Sequence, residues 1–279
     1  MGGAVRRGGV VATMKVQTTI PGQGALVAGA YHLDGILLRG AQHMILAATH
    51  AQLGARVVLE LAWPTRIDGV MVQRFLRDAR VSSTLRSPRV ARVLDAGALD
   101  DGGFYVATEY VEGETLRAAL AHRGSTSAHE AASCVVHVCE AVEEAHAAGV
   151  VHRDLDLANL VVTRSGVKVA GFARMTSLMR APNADSRTDI FALGRILFEL
   201  VTGQNPLITG VGLLRQRTHL PAGFVAIVER CLEPYAQHRY LRAADVGSAL
   251  AVFTAPQIHR EAPRFTAANV VAIEEDRLR

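Results

Sequence analysis

The hydrophobic period of this chain changes once, at Gly113, and that change limits the folds open to it. Before Gly113 the apolar residues come in short strand-like runs, Ile36 to Leu38, Met44 to Ala47 and Arg56 to Leu61. Gly40 and Gly54 separate these runs, as in antiparallel hairpins. Val70 to Leu85 carries apolar residues at 72, 75, 76, 79 and 81, the spacing of an amphipathic helix that stops before Pro88. Val90 to Leu94 and Phe104 to Ala107 read as two further strands around a turn at Asp100 to Gly103. After Gly113 the spacing is helical over 115–123, 128–148, 186–202, 222–232 and 243–253. Strands first and helices second imply an α+β architecture: a small antiparallel-sheet lobe with one helix, then a larger, mainly helical lobe.

With 279 residues, 49% of them apolar, the chain can bury a sizeable core. No apolar run approaches the ~20 residues of a membrane span. Residues 1–30, rich in Gly, Thr and small residues, read as a flexible leader; the stretch after Arg6-Arg7 is too short for a secretory signal, and Met14 offers a second start. Residues 254–279 read as a polar tail. Three cysteines, an odd set, suit a reducing cytoplasm. Cys134-x-x-His137-x-Cys139 sits in helical spacing with its cysteines on different faces, so it reads as core rather than metal site. The net charge of +4 rests on arginine, Lys15 and Lys168 being the only lysines. No basic run interleaved with aromatics is present, which argues against nucleic acid as a partner. Trp63-Pro64 reads either as an exposed contact patch or, as single aromatics more often do, as core cover.

Four strings stand in order in the second half: His152-Arg153-Asp154-Leu155-Asp156-Leu157-Ala158-Asn159, Thr188 to Gly194, Leu200-Val201-Thr202-Gly203, and Pro234 followed by Arg239. On these the chain resembles the protein kinase family, specifically the bacterial kinases of the eukaryotic Ser/Thr type, over residues 31–253 (small lobe 31–108, large lobe 109–253). The resemblance implies that Asp154 stands where the substrate hydroxyl gives up its proton and Asn159 where magnesium is bound. It implies that Asp189 holds the catalytic-loop backbone, that Glu109-Tyr110-Val111 is the hinge beside adenine with Thr108 as gatekeeper, and that His152 and Phe172 are packing residues. The nucleotide-site positions fall on Gly40, Ile45, Val58, Glu60, Glu109 and Val111.

Against that pattern, the parts that handle the nucleotide are altered. The three glycine-loop positions are Leu38, Gly40 and His43. The third-strand lysine is Glu60, its helix partner is Asp78, and two carboxylates there are expected to repel each other. Val58 replaces the alanine over adenine and narrows that space. The magnesium aspartate is Gly171, in Gly171-Phe172-Ala173, which leaves Asn159 as a poor site for a cation that prefers carboxylates. Asp156 is a conceivable substitute, although its position normally holds a lysine. Only the 15 residues from Arg174 to Thr188 remain for the activation segment, with Ala181-Pro182-Asn183 the nearest string to A-P-E, so Arg239 needs a partner from elsewhere.

The expected function is that of a pseudokinase, a cytoplasmic scaffold or allosteric regulator in signal transduction, since losing several electrostatic groups of a phosphoryl-transfer site removes most of its rate enhancement. The alternative is a divergent active Ser/Thr kinase in which Arg39 or Arg56 supplies the missing cation. ATP and Mg²⁺ enter only if nucleotide binding is kept; no other cofactor is assigned. The expected partner is a protein, such as an active kinase or another signalling protein, docking on the helix 70–85 and on Arg174 to Arg187.

Overall fold

A computed structural model describes residues 24–63, 69–181 and 183–254; within this, the side chains of Met175, Thr176 and Arg180 are not described. Strands β1 (Leu26–Val27), β2 (Tyr31–Arg39), β3 (His43–His50) and β4 (Arg56–Ala62) lead into helix α1 (Gly69–Ser82), followed by β5 (Val93–Ala98) and β6 (Phe104–Glu109). They form one antiparallel sheet in the order β1-β2-β3-β4-β6-β5. Residues 24–30, expected to belong to the flexible leader 1–30, are instead part of the small lobe. β1 pairs Leu26 with His32 and Val27 with Tyr31, and Val27 is buried in the small-lobe core, because two residues suffice to cover the edge of β2. Residues 1–23, Pro64 and residues 255–279 lie outside the described region.

Beyond β7 (Glu114–Thr115) come α2 (Leu116–Arg123), α3 (Ala128–Ala147), the strand pair β8 (Leu160–Thr163) and β9 (Gly166–Val169), α4 (Met175–Arg180), α5 (Ser186–Thr202), α6 (Pro206–Thr209), α7 (Leu213–Gln216), α8 (Ala222–Cys231) and α9 (Ala243–Ala251). A capping box between Ser127 and Glu130 starts α3, and Gly203 in the left-handed region stops α5. The large-lobe core is built on α3, α5 and α8. Gly194 lets α5 and α8 meet: a Cβ there would stand 2.6 Å from Cys231 Cβ. Cys139 and Cys231 are buried in this core, as the helical spacing anticipates. Trp63 is core cover too, buried, with its Nε1 donating to Asp101 Oδ2 at 2.8 Å.

Two further departures matter for the site. The strand expected at Val90 to Leu94 begins only at Val93; Val90 and Ala91 instead dock on β9, Ala91 N donating to Val169 O at 2.8 Å. The short segment after Phe172 is helical (α4), and its Leu178 is buried with Phe75, Val93, Phe104 and Val106 between α1 and the large sheet.

Candidate functional site

The loop between α3 and β8 carries the His152-to-Asn159 string, and its shape is set from α5. Asp189, 1% exposed, accepts from the backbone N–H of His152 at 2.8 Å and of Arg153 at 2.9 Å, and His146 Nε2 donates to it at 2.7 Å. This is the anchoring role anticipated for Asp189. Arg153 holds a positive φ of 70°, which that pair of bonds keeps in place. Asp154 lies at the turn of the loop, and its backbone carbonyl accepts from Asn159 Nδ2 at 2.7 Å.

His152 is buried against Phe172, ring centroids 4.7 Å apart at 69°, and its Nε2 lies 2.9 Å from the Ala170 carbonyl. That oxygen can only accept, so Nε2 carries a proton. Burial pushes the His152 pKa down, outweighing the upward pull of Asp189 and the Ala170 carbonyl; His137 is lowered too, by burial and then by Arg89. Imidazoles kept neutral in the fold but free to charge when unfolded favour the folded state fully only above the unfolded value. Stability should therefore fall as pH drops through about 6.5, by at most ~1.4 kcal/mol per pH unit for each proton. Urea midpoints measured between pH 7.5 and 5.5 check this, and His137→Gln should make the decline shallower.

The expected repulsion between Glu60 and Asp78 does not occur, because each carboxylate has its own arginine. Arg174 Nε lies 2.8 Å from Glu60 Oε2, with the side chains 10% and 7% exposed. Arg153 lies 2.9 Å from Asp78 Oδ2, with the side chains 3% and 4% exposed. Both carboxylates belong to the small lobe and both arginines to the large one, so two buried ion pairs tie the lobes together. Neither pairing was read from the sequence. The available signal was a buried carboxylate on β4 beside a chain that had lost an aspartate and gained an arginine three residues later.

Arg174 also takes up Asn159: its Nη1 donates to Asn159 Oδ1 at 2.9 Å, so both ends of that amide are engaged. Gly171 makes room for this arrangement. Its φ is +90°, and a Cβ would stand 2.9 Å from Arg174 Nε and 3.0 Å from Cζ. Gly171→Ala should accordingly cost about 2 kcal/mol, from the left-handed backbone and the displaced guanidinium, read as a shift in urea midpoint.

Asp156 offers no metal site either. Arg117 reaches both of its oxygens at 2.7 and 2.8 Å, and Arg195 approaches at 3.2 Å. Glu199 joins this cluster, its carboxyl pushed up by burial against the opposing pull of Arg195. Arg239 finds its partners among carbonyls, those of Glu233, Arg187 and Pro234, while stacking on Phe191.

Between the lobes lies a cavity of about 570 Å³. Of the expected nucleotide positions, Ile45, Val58, Glu109 and Val111 line it, as do Thr108, Asn159 and Arg174. Glu60, Gly40 and Asp154 do not. Glu60 is turned to Arg174, and the His43 ring folds onto Gly40 at the tip of the β2–β3 hairpin. Burial raises the Glu109 carboxyl, but Lys168 and Arg92 outweigh it and hold it below its ordinary range. Of the two replacement cations considered, Arg56 stacks on Tyr110 at the cavity edge, 3.8 Å from the ring centroid, and Arg39 is exposed at the end of β2 away from the cavity lining.

A two-lobed fold, an aspartate-anchored His-Arg-Asp loop and a hinge-lined cleft occur together here, and residues 31–182 match the family model of the protein kinase domain. The chain belongs to the protein kinase domain family. Relatives include a probable serine/threonine-protein kinase PknB of Corynebacterium glutamicum, 33% identical over 213 residues, 65% of this chain and 32% of that protein. Serine/threonine-protein kinase PrkC of Bacillus subtilis is 28% identical over 207 residues, again 66% of this chain and 32% of that protein. The chain thus spans about a third of the length of these relatives. The crystal structure of the Mycobacterium tuberculosis PknI kinase domain shares the fold, with a TM-score of 0.70 at 23% identity over 84% of this chain and 99% of that one. No helix among the described residues of this kinase domain is long and apolar enough to cross a membrane.

The residues present do not fit the magnesium ion that the family's chemistry uses. Gly171 has no carboxylate to give, the Asn159 amide is consumed at both ends, and Asp156 is held by two arginines. Among the described residues no three His, Cys, Asp or Glu side chains gather as a metal site.

Proposed function

We propose that this kinase domain is a pseudokinase: a fold kept as a rigid signalling module that does not transfer phosphate. One observation carries the reading. The Arg174 guanidinium stands between Glu60 and Asn159, so this cleft-lining cation is already committed to two partners of the chain itself. Phosphoryl transfer also needs a carboxylate to hold magnesium against the phosphates, and position 171, where the family has it, is a glycine packed beside that guanidinium. The two ion pairs between the lobes further oppose the opening and closing that turnover requires.

The test is MgATP binding. A ligand present at 100 times its Kd stabilises a protein by about 2.7 kcal/mol, a rise that thermal melts resolve easily. Here millimolar MgATP should leave the melting temperature unchanged. A rise that needs Mg²⁺, joined to phosphotransfer lost in Asp154→Ala, would establish the opposite.

A second reading, a divergent active Ser/Thr kinase, is supported by the intact loop: Asp154 is retained and Asp189 holds the backbone around it. The names of the relatives, serine/threonine-protein kinases, point the same way. The same melting and phosphotransfer measurements separate the two.

As a module it would act through a protein partner. The two regions singled out for docking, α1 and the segment after Phe172, are contiguous, since Leu178 of α4 is buried against Phe75 of α1. Arg77 and Arg80 are exposed on α1. Loss of a co-purifying protein in Arg77→Glu/Arg80→Glu, with the melting temperature unchanged, is the result this placement expects.

A further inference from the structure

We propose that the exposed face formed by α6 and α7 is an interaction surface for this chain's own tail, with residues 270–276 as its occupant. Neither the face nor its occupant involves a residue of the cleft between the lobes, and whether phosphate is transferred has no bearing on it.

The face is apolar and held in shape. Leu207 is 68% and Ile208 83% exposed, and Val211 is exposed beside them in sequence. Their turn is fixed: Pro206 is buried, Asn205 Oδ1 accepts from Leu207 N at 2.9 Å, and Gly210 N donates to Pro206 O at 2.9 Å. Three aliphatic side chains kept in water by a fixed turn mark a contact surface, as a single one would not. Its charge is one-sided as well. From Val201 to Val228 the sequence has no Asp or Glu, while Arg215, Arg217 and His219 follow the apolar residues. Glu229 neutralises Arg215 at 2.7 Å. Arg217 donates to the Thr202 carbonyl at 3.3 Å, at the end of α5 that leads into α6, and no carboxylate pairs with it among the described residues. The matching occupant is an apolar segment with acids beside it.

Residues 270–276, Val270-Val271-Ala272-Ile273-Glu274-Glu275-Asp276, have that composition, and they hold the one run of three consecutive acids in the sequence, ahead of Arg277. The tail also starts on the right side of the lobe. His129 Nδ1 donates to Phe253 O at 2.8 Å, and three residues earlier Thr126 N donates to Leu200 O at 2.7 Å, on the last turn of α5. The chain therefore reaches Thr254 at the end of the large lobe that carries α6. Residues 255–269 can span up to ~50 Å, so reach is no obstacle. Two other occupants fit worse. Residues 1–23 carry Arg6, Arg7 and Lys15 without an acid, and a second copy would set Arg217 against Arg217 across a two-fold axis. Tethering raises the effective concentration of the segment to the order of mM, so a small surface suffices.

Disulfide trapping in the whole chain tests this, on a Cys134→Ala background in which the remaining native thiols are the buried Cys139 and Cys231. Thr209→Cys/Ala272→Cys joins an exposed position of α6 to the tail segment. Gln52→Cys/Ala272→Cys, at the exposed turn between β3 and β4, is the control. In a glutathione buffer the first pair should form its intrachain disulfide about tenfold more readily than the second. Glu274→Arg/Glu275→Arg/Asp276→Arg should remove that preference, and adding Arg217→Glu should restore part of it. Leu207→Ser/Ile208→Ser, which alters only exposed side chains, should also remove it while the melting temperature stays that of the parent. The proposal is overturned if the two pairs cross-link alike, or if neither cross-links. It is equally overturned if reversing the acids or removing Leu207 and Ile208 leaves the yield unaltered, or if Arg217→Glu restores nothing. Disulfides between chains rather than within one would make a second copy the occupant and overturn it too. Nucleotide has no part in these measurements, so this proposal and the pseudokinase reading can fail separately.

Discussion

Replacing Arg174 with alanine should destabilise this kinase domain by about 3–5 kcal/mol, the usual cost of leaving a buried ion without its opposite charge. Glu60 stays in the interior of the sheet whether or not the guanidinium is there, because its neighbours Leu59 and Leu61 fix the pleat of β4 in the small-lobe core. The loss extends further, since Arg174 begins α4 and ties down Asn159, so the loop from His152 to Asn159 should also loosen. Urea unfolding gives the magnitude. The double variant Glu60→Met/Arg174→Met is the informative control: with both charges gone and the volume kept, stability should return to within about 1 kcal/mol of the parent. A loss below 1 kcal/mol in Arg174→Ala would mean that the pair does not hold the lobes.

Asp189→Ala should cost roughly as much by another route. It strips the acceptor from two buried backbone N–H groups, each worth about 1–3 kcal/mol when left unbonded, and from the His146 ring. The positive φ of Arg153 then has nothing to sustain it, and Arg153 should lose its grip on Asp78. Asp189→Asn keeps one acceptor oxygen and should lose about half as much. Hydrogen exchange at the amides of His152 and Arg153 reports the effect locally; if both remain as protected as in the parent, the anchor lies elsewhere.

Much of the fold was legible because each lobe follows one rule. Short apolar runs separated by glycines in β2, β3 and β4 and helical spacing in α3, α5 and α8 are local patterns, and local patterns survive in sequence. The short helix α4 was not legible. With six residues it has no period to detect, and it exists because Leu178 found a cleft beside Phe75. The site was legible in its losses and illegible in its repairs. Glu60, Gly171 and Asp156 could each be named as departures from a known pattern. Their partners Arg174, Arg117 and Arg195 could not, since charge pairing between distant segments depends on geometry that spacing does not encode. Treating Glu60 and Asp78 as facing each other transferred a contact from the family onto residues that had lost its chemistry.

The inverted polarity of the lobe junction also bears on how such a chain can change. A lysine at residue 60 would set an ammonium against Arg174, and any side chain at 171 would put a Cβ on a left-handed backbone 2.9 Å from Arg174 Nε. Each single step back toward the common arrangement passes through a state worse than either end. Glu60, Gly171 and Arg174 therefore form one unit, in which a change at any one of them costs stability unless the others change with it.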